Sequence, residues 1–293
     1  MKMIDAHHHI WRQSDLPWLQ GPTQPRIFGA YDAIKRDYLI DEFLTDCRQD
    51  QVEKSVYVQA NWPVERFADE VAWVQGVADS AGWPTAIIGY CELTSPDAVS
   101  DLARLAEFPA MRGIRQQLHW HENPLYRFAG APDLARDKQL QGTVAKLADY
   151  GWCFELQVFT SQFPGACELV DACPDVTFVL QHAGMLEDLS DVGRQAWRQA
   201  MQGLAKRPNV VAKLSGLGTF IRRNDPDHIQ RILTETVAIF GAERCIFGSN
   251  FPIEKLWTSY AALIEAYRAA TAGLSTTEQQ AIFHDTAARI YRI

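Results

Sequence analysis

The sequence predicts a (β/α)8 barrel of the TIM type, and three of its features point there. Short apolar, β-branched runs alternate with amphipathic stretches of helical period along the chain, the pattern of a parallel sheet covered by helices. The alternation repeats eight times, the number at which such a sheet closes on itself. Polar side chains gather where the apolar runs end, on the side of a barrel that carries chemistry. A doubly wound open sheet is the competing arrangement, but no glycine-rich dinucleotide fingerprint or phosphate loop follows any run.

Taken in order, the strands are expected at residues 3–7, 54–58, 86–90, 111–115, 153–157, 177–181, 210–214 and 245–247. The helices between and after them are expected at 39–51, 64–81, 95–107, 139–149, 164–173, 192–206, 226–240 and 258–270. Two stretches interrupt the repeat. Residues 12–38, with Pro17, Trp18, Gly21, Pro22 and Pro25, read as a long ordered loop after the first strand. Residues 118–138, with His119, Trp120, His121, Pro124 and Tyr126, read as a second after the fourth strand. Both would lie over the barrel mouth and supply substrate contacts. Ser275-Thr276-Thr277-Glu278 matches a capping box before a last helix, 278–291, expected to pack across the outside of the barrel.

The chain has 293 residues, 47% of them apolar, enough for one large barrel domain spanning 1–293. Its formal charge of −8, without any Lys/Arg cluster, argues against nucleic acid or an anionic membrane as a partner. No basic leader precedes an apolar run and no stretch is long and apolar enough to span a bilayer, so a soluble cytoplasmic protein is expected. Cys47, Cys91, Cys153, Cys167, Cys173 and Cys245 form no CxxC pair and read as reduced, mostly buried thiols. A homodimer would be unsurprising for a barrel with Trp-rich loops, and the partner to expect is a small-molecule substrate.

The chemistry is read from the strand ends. In an extended strand His7 and His9 project from one face and His8 from the other, so the first strand offers a pair of metal-ligand imidazoles or a buried, hydrogen-bonded pair. His8 is left to packing or a surface hydrogen bond. Gln59 and Asn61 follow the second strand, Arg115 and Gln117 the fourth, and Glu155 and Gln157 the fifth. His182 ends the sixth, Lys213 and Ser215 the seventh, and Asn250 follows the eighth. Polar groups at the ends of apolar strands are costly unless paired or used, so their convergence favours a site. Arg115 suits a bidentate grip on a carboxylate or sugar hydroxyls, or a salt bridge to Glu155; Lys213 suits carbonyl polarisation, a substrate carboxylate, or structural pairing. Trp62, His119, Trp120 and Tyr126 would form an aromatic wall against a ring, while Trp73, Trp152, Trp197 and Tyr267 are left to the core.

Five motifs together carry a resemblance: IDAHHHIW at the start, His182-Ala183-Gly184, KLSGL at 213–217, FGSNFP at 247–252 and TAARIY near the end. In order and almost end to end, the chain resembles the amidohydrolase superfamily, in its amidohydrolase-2 branch of sugar-acid and pyrone-dicarboxylate lactonases. The resemblance implies a barrel whose HxH, strand-six His and strand-eight Asp surround a hydrolysed carbonyl, here His7, His9, His182 and position 250. Position 250 is Asn, which cannot act as a base toward water. It therefore implies at most one divalent metal, zinc or manganese, on His7, His9 and His182, held weakly or absent for want of the aspartate. Glu254, four residues on, or a metal-free His182 would be the base, or Asn250 would only position the water. Gln59, Trp62, Arg115, His119 and Lys213 are the expected substrate contacts. The expected reaction is hydrolysis of a lactone; a metal-dependent decarboxylase on the same fold and a non-catalytic binding protein are the alternatives.

Overall fold

The computed structural model describes residues 1–293 and contains one sheet of eight parallel strands in sequential order, a nearly closed TIM barrel with helices between the strands. The strands are β1 (Met3–His8), β2 (Val52–Val58), β3 (Ala86–Gly89), β4 (Met111–Ile114), β5 (Cys153–Leu156), β6 (Phe178–Leu180), β7 (Val210–Leu214) and β8 (Cys245–Phe247). The helices are α1 (Ile40–Asp46), α2 (Phe67–Ala81), α3 (Ala98–Leu105), α4 (Lys138–Ala145), α5 (Phe163–Ala172), α6 (Asp191–Ala205), α7 (Pro226–Phe240) and α8 (Tyr260–Thr271). Each falls where the periodicity places it. The strands are buried on both faces because alternate residues serve two layers. Ile4, Ala6, Val56, Val58, Ala86, Ile88, Val179 and Ile246 fill the barrel, while Tyr57, Ile87, Phe154, Phe178 and Phe247 pack outward against the helices. Side-chain caps start four of these eight helices: Asp137 at α4, Ser190 at α6, Asp225 at α7 and Ser259 at α8.

The C-terminal segment corrects one expectation. The Ser275–Glu278 capping box is present at α9 (Thr276–Gln280), but a five-residue π turn at Ala281–Asp285 follows it before α10 (Thr286–Tyr291). This wide turn carries Ala287 and Tyr291 into the barrel's interior cluster instead of across its outside. The Tyr291 hydroxyl donates to Glu155 Oε1 at 2.6 Å, so the C-terminus plugs the amino-terminal end of the barrel.

Closure between the last and first strands is made by the chain just past β8. Asn250 N donates to His7 O at 2.7 Å and His9 N to Phe251 O at 2.8 Å. Asp5, fully buried on β1, pins the junction: Oδ1 accepts from Ser249 N (2.8 Å) and His7 N (3.1 Å), and Oδ2 accepts from the Tyr260 hydroxyl on α8 (3.0 Å). Asp5→Ala removes the acceptor of three buried donors and is expected to lower unfolding free energy by about 3–5 kcal/mol in urea melts. Asp5→Asn, which keeps an acceptor oxygen, should lose less. An Asp5→Ala protein within about 1 kcal/mol of the parent would show that Asp5 does not hold the seam.

Candidate active site

A cavity of about 230 Å³ opens at the carboxyl ends of the strands beneath the two long loops. Both loops lie where the sequence predicts. The first is closed at its base by paired backbone hydrogen bonds between Trp11 and Tyr38 (2.8 and 2.9 Å) and brings Trp18 and Phe28 to the cavity wall. The Trp18 indole donates to Ala60 O at 2.9 Å, fixing the loop to the end of β2. The second contributes His119, Tyr126 and Phe128, and the turn after β7 adds Phe220. Tyr126 meets Phe220 edge-on with ring centres 5.6 Å apart, so the second loop and the turn after β7 touch through aromatic rings at the cavity wall.

At the floor stand three imidazoles. The centre of the His7 ring lies 5.1 Å from that of His9 and 4.9 Å from that of His182. His9 Nδ1 is 2.7 Å from Val58 O and therefore carries the proton, leaving Nε2 as a lone pair. His182 Nδ1 lies 2.9 Å from Ser215 Oγ, and His182 lines the cavity. Neither ring nitrogen of His7 has a partner although both are buried. Burial, reinforced by nearby positive charge, drives His7 and His9 well below the usual histidine range and His182 down to about 3, so all three are neutral. His8 points away, donating to or accepting from Ser55 Oγ at 2.9 Å and stacking on Phe43 at 3.9 Å. It is buried, so the packing role holds and the surface alternative does not.

Local backbone explains the motifs. Gly216 in KLSGL sits at φ +60°, and a Cβ there would come within 2.7 Å of His182 Nδ1. Gly248 in FGSNFP leaves room for His7, whose Cβ a side chain would meet at 2.6 Å. His182, Ala183, Met185, Asn61 and Asn250 all adopt left-handed φ between 47° and 62°. Such conformations cost non-glycine residues about 1–2 kcal/mol each, and here they cluster around one cavity, as strained backbone does at functional sites. The Trp197 indole braces the β6 turn by donating to Ala183 O at 2.8 Å.

The expected substrate contacts separate into two groups. Arg115 and His119 line the cavity with Asn250. Arg115 is 3% exposed, donates to Gln59 O and to Gln181 Oε1 (3.3 Å), and leaves Nε unpartnered. Burial lowers it only to about 10, so it remains a cation, and it forms no salt bridge with Glu155. Glu155 belongs to Lys213 instead, with Nζ 2.7 and 2.8 Å from its two oxygens and both side chains fully buried. Gln181 and Tyr291 complete that carboxylate's shell, so Lys213 is part of the packed floor and not of the cavity wall. Trp62 also lies outside the wall: its ring packs 6.0 Å from Trp73 under the Arg66 guanidinium at 4.7 Å. Gln59 supports the cavity from behind, its Oε1 accepting from Asn61 N at 2.7 Å. Lining residues that sequence reasoning passes over include Arg26, Phe28, Arg127, Met185, Thr219 and Phe220; they lie on loops, where no period marks them.

Glu254 stands behind Asn250, not in the wall. Its Oε2 accepts from the Trp257 indole at 2.8 Å, while Oε1 is buried without a partner. Burial raises it to about 8, against the opposing influence of Trp257 and of the Asn250 and Thr219 side chains beside it. At neutral pH it is largely the neutral acid.

The donor chemistry suits a divalent cation. His7 offers two orphaned nitrogens, and His9 and His182 each have one nitrogen fixed by an outer partner, as metal-binding histidines do. Imidazoles bound at zinc's usual distance place neighbouring ring centres about 5 Å apart, close to what His7 makes with either neighbour. As the side chains stand, however, no three His, Cys, Asp or Glu groups converge on one point. Position 250 adds an amide and no anionic ligand.

Comparison with known proteins agrees with this architecture. A family model described as amidohydrolase matches residues 4–293. The uncharacterized protein y4mH of Sinorhizobium fredii is 36% identical over 99% of this chain and 98% of its own. L-fucono-1,5-lactonase of Burkholderia multivorans is 32% identical over 99% of this chain and 96% of its own. A crystal structure of an amidohydrolase from B. multivorans with bound zinc superposes with a TM-score of 0.84 at 28% identity over the whole of both chains. The chain therefore belongs to the amidohydrolase family. Its broad class within that superfamily is hydrolase, and no helix is long and apolar enough to cross a membrane.

Glu254 makes stability depend on pH. Its folded-state value lies near 8, above the ordinary 4.5, so the stability it contributes is full below about pH 4.5 and is lost as pH rises through 8. The thermal midpoint is expected to fall between about pH 5 and 8, and Glu254→Gln, a neutral isostere, should flatten that fall. Parallel curves for the two proteins would mean that Glu254 titrates normally.

Proposed function

We propose that the protein is a lactonase that opens the ring of a sugar-acid lactone or cyclic carboxylate by adding water to the ring carbonyl. The observation that carries this reading is the floor of the cavity. Neutral His182 and the carboxamide of Asn250 stand there beside Arg115, a buried cation with no carboxylate partner. The similarity to an L-fucono-1,5-lactonase along nearly the whole chain supports it.

In this reading the carbonyl oxygen faces Arg115, whose fixed charge stabilises the oxyanion that forms as water adds. Ser215 Oγ holds the His182 Nδ1 proton, leaving Nε2 to take one from the water. Asn250 cannot accept that proton and orients the water instead. The tetrahedral intermediate then breaks its ring carbon–oxygen bond, and His182 returns the proton to the departing alkoxide. The product is a hydroxy acid that releases one proton at neutral pH. Gly216 and the left-handed turn at His182 hold the imidazole in place for both transfers.

A second reading is favoured by the zinc in the B. multivorans structure. Here His7, His9 and His182 would hold a divalent ion, which when bound supplies Lewis-acid polarisation of the carbonyl. His182 would then be occupied, and Asn250 with Glu254 behind it would be left to handle the water.

Proton release at neutral pH from a panel of aldonolactones and pyrone carboxylates tests both readings. Dialysis against chelator should leave turnover within about twofold in the first and reduce it at least about tenfold in the second, with recovery on added zinc. No proton release from any lactone, together with carbon dioxide release from an aromatic acid, would overturn both.

A further inference from the structure

We propose that the cavity takes the lactone of a dicarboxylic acid, in which a second carboxylate remains free, and that Arg26 and Arg127 hold that carboxylate at the mouth. The inference rests on the lactonase reading and names its substrate class. The chain carries 36 acidic residues against 28 basic ones, yet the cavity wall contains three arginines and no Asp, Glu or Lys. A cleft of positive potential on a protein of net negative charge selects anions.

The three guanidiniums have separate positions. Arg115 belongs to the floor, where it lines the cavity at 3% exposure with its Nε unpartnered, and the lactonase reading assigns it to the reacting carbonyl. Arg26 comes from the loop after β1. Its guanidinium lies 5.4 Å over the Trp18 ring, and its Nε is buried without a partner. Arg127 comes from the loop after β4. It donates from Nε to His121 O (3.1 Å) and from Nη2 to Glu122 O (3.0 Å), lies 4.8 Å over Trp120, and keeps Nη1 free. Stacked and tethered in this way, both side chains are preorganised while neither is neutralised by a carboxylate. Glu122, Asp133 and Asp137 in the second loop, and Glu187 beside His121, do not reach the wall. A lactone of a dicarboxylic sugar acid has its ring carbonyl and free carboxylate at opposite ends of the carbon chain, which matches a cation at the floor and two at the mouth.

Two measurements test this. Calorimetric titration with galactarate and galactonate, ring-opened acids that differ in one carboxylate, reads recognition independently of turnover. The parent protein should bind the dicarboxylate at least about tenfold more tightly, the size of one charge-assisted hydrogen bond. Arg26→Ala and Arg127→Ala should each reduce that preference, Arg127→Lys should restore part of it, and added salt should weaken it. In turnover, kcat/KM for glucaro-1,4-lactone should fall at least about tenfold more in the alanine variants than kcat/KM for galactono-1,4-lactone. Equal binding of the two acids, or a preference that survives in both alanine variants, would overturn the assignment. An intact preference with no hydrolysis of any lactone would instead retire the lactonase reading and leave the anion clamp standing.

Discussion

The seam where the barrel closes determines where everything else in the site can be. Eight short strands leave β8 without a regular ladder to β1, and the gap is bridged by the residues that follow β8. Asp5 makes this possible because its carboxylate satisfies backbone donors on both sides of the gap and a tyrosine from α8. A buried carboxylate with that many donors is held in one geometry, so His7 and Asn250 are fixed relative to one another by a residue that touches neither substrate nor cavity. The left-handed φ of Asn250 and the absent side chain at Gly248 follow from the same close approach.

A second polar layer, below the seam, separates the catalytic end from the structural end. Glu155 in the barrel interior gathers Lys213, Gln181 and Tyr291. Its pairing with Lys213 cancels their charges, so Arg115 is left as the cation of the floor without a carboxylate partner. The electrostatics follow from that division. Burial and the Arg115 charge keep the histidines unprotonated, and burial without a cation keeps Glu254 protonated. A neutral set of nitrogens around a fixed positive group suits a reaction that develops negative charge on oxygen.

Much of this was legible in the sequence because the barrel's periodicity is regular. Strands β7 and β8 match their expected bounds, and most others differ by one or two residues. The run at 177–181 shortens to Phe178–Leu180 because Gln181 already begins the strained turn, a backbone event with no composition signal. The histidines and Asn250 stood out by motif. Depth within the barrel did not: Lys213 and Arg115 both occur near strand ends, and only the position of Glu155 across the barrel decides which is neutralised. Trp62 faces away from the cavity for a similarly local reason: it follows the left-handed turn at Asn61 and packs against Trp73. Arg26 and Arg127 lie in aperiodic loops, and Asp5, inside the opening motif, is recognisable as a brace only once β8 is seen beside it.

In the proposed lactonase reaction, water beside His182 and Asn250 adds to an acyl carbon at the cavity floor. Ring opening of an aldonolactone or aldarolactone in water enriched in oxygen-18, followed by mass spectrometry of the product, tests it most directly. Opening well above the spontaneous rate is expected, with the label in the new carboxylate, because the acyl–oxygen bond is the one that breaks. Label in the hydroxyl, or opening no faster than without protein, would contradict it.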